Sequence, residues 1–156
     1  MKLIPKTAIT LGVILSCVSA LAHHSFSMFD PETQLVVEGT VSRWAFNNPH
    51  SWLYINTIDE NGEEVLWSFE AAAPPQLIGR GITGRTFEPG NKVTVMFSPL
   101  VDGRPGGAIC WVKQSNGEYI KPNDGGCRAG DDSIPKWETW LEQGITSSKE
   151  AMARGL

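Results

Sequence analysis

Between His50 and Ile58 apolar and polar residues alternate, with Leu53 and Ile55 on one face and His50, Trp52, Tyr54 and Asn56 on the other. A period of two is the mark of a half-buried β-strand, because successive side chains leave opposite faces of the pleat. Asp59-Glu60-Asn61-Gly62 follows, and its Asn-Gly pair accepts the positive φ angles of a tight hairpin turn, so Val65 to Phe69 is predicted as the returning strand. Upstream, Leu35-Val36-Val37-Glu38-Gly39-Thr40-Val41 is rich in β-branched residues and predicts a strand with a sharp bend at Gly39, broken by Asn47-Asn48-Pro49. Lys92 to Phe97 and Gly107 to Gln114 predict a fourth and a fifth strand. Asn116-Gly117 then turns the chain into a short piece at Glu118-Tyr119-Ile120.

Only two stretches read as helical. Ala71 to Gly81, with Pro74-Pro75 near its start and Gly79 and Gly81 near its end, has room for one or two turns. Ile134 to Met152 carries Trp137, Trp140 and Leu141 at helical spacing after Pro135, and this apolar stripe is expected to dock onto the rest of the domain. Between strands and tail, Lys121 to Asp132 is Gly-, Asp- and Asn-rich and reads as a loop, and Gly103 to Gly107 reads as a plain hairpin loop. The expected fold is therefore mainly β: a small five- to six-stranded barrel or sandwich of the oligonucleotide/oligosaccharide-binding (OB) type, with a short helix and a C-terminal helical tail. The expected divisions are a leader over 1–22, a β-domain over 23–120, and a Gly-rich loop with helical tail over 121–156.

The leader reading rests on Lys2 and Lys6, the apolar run from Thr7 to Ala20, and the small-x-small sequence Ala20-Leu21-Ala22, which together predict a secretory signal cleaved after Ala22. A competing reading takes Ile14-Leu15-Ser16-Cys17 as a lipoprotein site, with Cys17 acylated, although leucine before the serine fits that pattern poorly. Export to the periplasm or beyond is expected either way. The net charge is −4 and cleavage removes two lysines, so no basic run remains to neutralise phosphates and nucleic acid is excluded as a partner. Cys110 and Cys127 survive cleavage as an even pair, expected to form a disulfide in an oxidising compartment.

Four segments carry a resemblance: Ala22-His23-His24-Ser25-Phe26, Glu38-Gly39-Thr40-Val41, Asn48-Pro49-His50-Ser51-Trp52 and Trp67-Ser68-Phe69-Glu70. Together they resemble an uncharacterised bacterial family of small exported proteins, a domain of unknown function. The similarity spans roughly Ala22 to Gly117. It implies an exported β-rich domain and no established reaction.

Cleavage after Ala22 makes His23 the first residue, and an N-terminal histidine offers its α-amine and ring Nδ1 as a chelate. Nitrogen donors in a tetragonal array favour copper(II) among divalent first-row ions. The chain has three histidines, His23, His24 and His50, so His50 is the expected opposing imidazole of a histidine brace. His24 is the competing donor, and Glu70 an axial oxygen ligand or an acceptor that orients an imidazole N–H. A turn histidine after Asn-Pro is the structural alternative for His50. Zinc would want a fourth fixed ligand that the sequence does not offer. Trp44, Trp52 and Trp67 lie in three predicted strands, as core residues or as a stacking face near His50. The leading expectation is a periplasmic copper-binding protein that sequesters or delivers the ion, which leans away from an enzyme without deciding the point. Its rivals are a copper-dependent oxidase or monooxygenase, and a metal-free module that attaches to a periplasmic enzyme.

Overall fold

All the predicted strands form, and the computed structural model, which describes residues 26–156, joins them into one sheet. They are β1 (Leu35–Ala45), β2 (Ser51–Ile58), β3 (Glu64–Ala71), β4 (Lys92–Pro99), β5 (Gly106–Gln114) and β6 (Tyr119–Ile120). The sheet order is β3-β2-β1-β4-β5-β6, and a further parallel pairing of β3 with β5 closes five strands on themselves, leaving β6 as an addition on the edge of β5. Of the barrel and the sandwich, the barrel forms, with α1 (Pro74–Ile78) between β3 and β4.

Closure depends on a segment that reads locally as a loop. Gly106 and Gly107 belong to β5, where they lie beside Ser68 and Phe69 in the parallel pair. Gly39 lets β2 approach, since a Cβ there would stand 2.7 Å from Asn56 O and 2.9 Å from Ile55 Cδ1. The irregularity of β1 falls between Val41 and Arg43, which carries the strand on to Ala45.

Two apolar cores follow. Leu53, Ile55, Phe69, Val95, Phe97, Ile109 and their neighbours fill the barrel, as the alternation in β2 predicts. Outside the wall, Val36, Met96, Cys110 and Trp111 form a second core with the tail residues Trp137, Trp140, Ile145 and Ala151. Cys110 is the extra residue where β5 slips its register against β4, Met96 facing Trp111 and Phe97 facing Ile109. Both Cys110 and Trp111 thereby reach the outer core. The tail is two helices, α2 (Ile134–Glu142) and α3 (Ser148–Ala153), where one helical stretch to Met152 was expected. Gly144, with φ 72°, ends the first, and Ile145 returns to the core before Ser148 Oγ accepts the Gln34 N–H at 3.0 Å.

Polar contacts also fasten α2 to the barrel. Glu138 Oε1 accepts from the Tyr119 hydroxyl at 2.8 Å and from Lys113 Nζ at 3.0 Å. These donors, Tyr119 first, hold the Glu138 carboxyl below its ordinary 4.5. A depressed carboxylate stabilises the fold above its unfolded pKa, and the increment disappears as pH falls through the folded value. In urea unfolding, the wild type is therefore expected to exceed Glu138→Gln in stability at neutral pH, with the gap closing in acid. A gap independent of pH would sink this assignment.

Candidate metal centre

His50 immediately precedes β2, after a cis Asn48–Pro49 bond. Ser51, Leu53 and Ile55 are buried in the barrel, so His50 belongs to the outer side of the wall, in phase with Trp52 and Tyr54. Glu70 lies on the same outer side. It faces Trp52 across the antiparallel β2–β3 pair and Ala108 across the parallel β3–β5 pair.

A third group comes from the loop after β6. The Ala72 N–H donates to Pro122 O at 2.8 Å, continuing the edge of β3 into that loop. The Arg80 guanidinium donates to Asn123 O at 2.6 Å and to Lys121 O at 3.3 Å. Farther along, Cys127 is disulfide-bonded to Cys110 in the wall, with Cα atoms 5.1 Å apart, as expected of the cysteine pair. Between these fixed points Asp124 accepts the Gly126 N–H on Oδ1 at 3.1 Å and turns Oδ2 toward His50.

His50 Nδ1 is 3.0 Å from Glu70 Oε1 and 3.1 Å from Asp124 Oδ2, with side-chain exposures of 15%, 9% and 6% for His50, Glu70 and Asp124. One donor atom from each residue lies within 4.8 Å of the others. Two largely enclosed carboxylates and one imidazole thus meet at a single point on the outer wall.

The structure thus brings together two of the predicted site residues, His50 and Glu70. His50 is mostly covered, with 15% of its side chain exposed. His23, His24, Cys17 and the cleavage site after Ala22 lie outside the described residues. Trp44 and Trp67 pack with the barrel core while Trp52 stands on the outer side, so the three tryptophans do not form one face. Asp124 is the residue that sequence reasoning missed. Its only local signal was a carboxylate three positions before a cysteine, in a segment whose Gly-, Asp- and Asn-rich composition reads as a loop.

Phe26 adds a connection to the N-terminus. A Cβ on Gly126 would stand 2.8 Å from Ala108 Cβ and 3.0 Å from two Phe26 ring carbons, so the Phe26 ring lies over the loop two residues past Asp124. An open groove of about 850 Å³, lined in part by Glu38, Lys92, Lys113 and Glu138, does not include the three site residues. No helix among the described residues is long and apolar enough to cross a membrane.

Residues 12–109 match a family described as "Family of unknown function (DUF6152)", a span that includes His50 and Glu70 and stops before Asp124. No curated protein and no solved structure matches the chain.

Proposed function

Because the chain belongs to the DUF6152 family, whose function is unknown, its site has to supply the reading, and we propose that this is an exported copper-binding protein that sequesters or delivers the ion. Cleavage after Ala22 gives residue 23 a free amine beside its imidazole, and these two nitrogens with the His50 imidazole make a three-nitrogen brace for copper(II). Glu70 serves as the oxygen donor or as the acceptor that orients the His50 ring. The observation that carries the reading is the convergence of Glu70 on His50 Nδ1 at 3.0 Å, on the outer wall. The Phe26 ring lies on Gly126, and Gly126 is bonded to the aspartate that faces His50. His23 is three residues from that anchor in sequence, a separation whose reach is at most about 10 Å. The disulfide between Cys110 and Cys127 is in keeping with an oxidising compartment.

Intact mass of the exported protein and a copper(II) titration followed by electron paramagnetic resonance test this together. The expected mass begins at His23, and the expected spectrum shows nitrogen hyperfine structure. His50→Ala should alter that structure and weaken binding by about 10- to 100-fold. A diacylated mass beginning at Cys17 would remove the terminal chelate. An unchanged spectrum in His50→Ala would confine copper to the first residues and defeat the folded site.

A further inference from the structure

We infer that Asp124 completes a one-nitrogen, two-oxygen donor set with His50 and Glu70, and that this set holds a divalent first-row cation on the barrel wall without help from the N-terminal histidine. This goes beyond the copper reading: it shares His50 and Glu70 with it and does not need residue 23.

The argument begins with Asp124. Its side chain is 6% exposed, and Oδ2 is enclosed without a hydrogen bond among the described residues, although His50 Nδ1 is only 3.1 Å away. An enclosed carboxylate oxygen left without an aligned donor is costly unless a charge of opposite sign meets it. Its other oxygen is committed to the Gly126 N–H at 3.1 Å, which fixes the direction in which Oδ2 points.

The spacing has the same meaning. Donor atoms bound to one ion at about 2.1 Å stand roughly 3.0 to 3.4 Å from one another. Nδ1 to Glu70 Oε1 is 3.0 Å and Nδ1 to Asp124 Oδ2 is 3.1 Å. Two carboxylates are harder ligands than the amine and imidazoles of a brace, so this set suits zinc, cobalt or manganese as well as copper, with water filling the remaining positions.

The test uses the mature exported chain without an affinity tag, as the double variant His23→Ala, His24→Ala, titrated with cobalt(II) and followed by its visible absorption. One equivalent is expected to bind, to be displaced by zinc(II), and to bind about tenfold or more weakly when Asp124→Asn or Glu70→Gln is added. Circular dichroism and the melting temperature of each variant show that the fold is intact. Absence of stoichiometric cobalt binding by the double variant would overturn the inference, as would equal affinity after both carboxylate substitutions. The copper reading fails separately, through an unchanged spectrum in His50→Ala with the terminal histidine present.

Discussion

Gly107→Ala is expected to cost the barrel about 3 kcal/mol or more. The new methyl would run into the carbonyl oxygen of Ser98 and stand 2.7 Å from Phe97 Cδ2. Neither can retreat easily, because the first is backbone in β4 and the second is a ring inside the barrel core. Gly107 also stands beside Phe69 in the parallel pair, so any shift of β5 opens the β3–β5 seam beside Glu70. Gly84→Ala is the control. The nearest atoms to a Cβ there belong to the Phe46 side chain, at 3.7 Å, an ordinary contact, and its effect should stay within about 0.5 kcal/mol. Urea unfolding of the two variants decides the matter, and equal stabilities would mean that the seam is not packed as described.

Trp137→Ala is expected to remove about 3–5 kcal/mol, the usual loss for deleting a buried indole. Trp137 is almost fully enclosed and meets Trp140 edge to face, with centroids 4.9 Å apart, in the core that also holds Met96 and Trp111. Its removal leaves a cavity between the tail and the outer wall. The transition midpoint should fall, and protease should cut the tail before the barrel. A loss below about 1 kcal/mol with unchanged proteolysis would show that the tail is not docked there.

What could be read from the sequence follows the physics of exposure. Alternation in β2 was legible because one of its faces packs in the barrel while Trp52, Tyr54 and Asn56 stay partly open to water. The seven consecutive buried residues of β5 carry no such contrast, since the barrel covers one face and the tail the other. Their division between two cores depends on the slip at Cys110, which local pattern does not encode. The break at Gly144 was marked by a glycine inside a helical run, a signal that the spacing of Trp137, Trp140 and Leu141 outweighed.

The candidate site divides in the same way. His50 stood out as one of three histidines, and Glu70 as an acid in a predicted strand. Their proximity needs the antiparallel register that sets Trp52 against Glu70. Asp124 could not be placed, because it reaches the wall through the Ala72 N–H to Pro122 O bond and the Arg80 contacts, none of which has a local signature.

The short strap from Pro122 to Cys127 is pinned at both ends, by a backbone bond to Ala72 and by the disulfide, with Arg80 gripping Asn123 between them. A carboxylate carried on such a strap has already given up its freedom when the chain folds. The entropy cost of ordering Asp124 is thus incurred before any ligand arrives, so a cation at the proposed site would keep more of its intrinsic affinity.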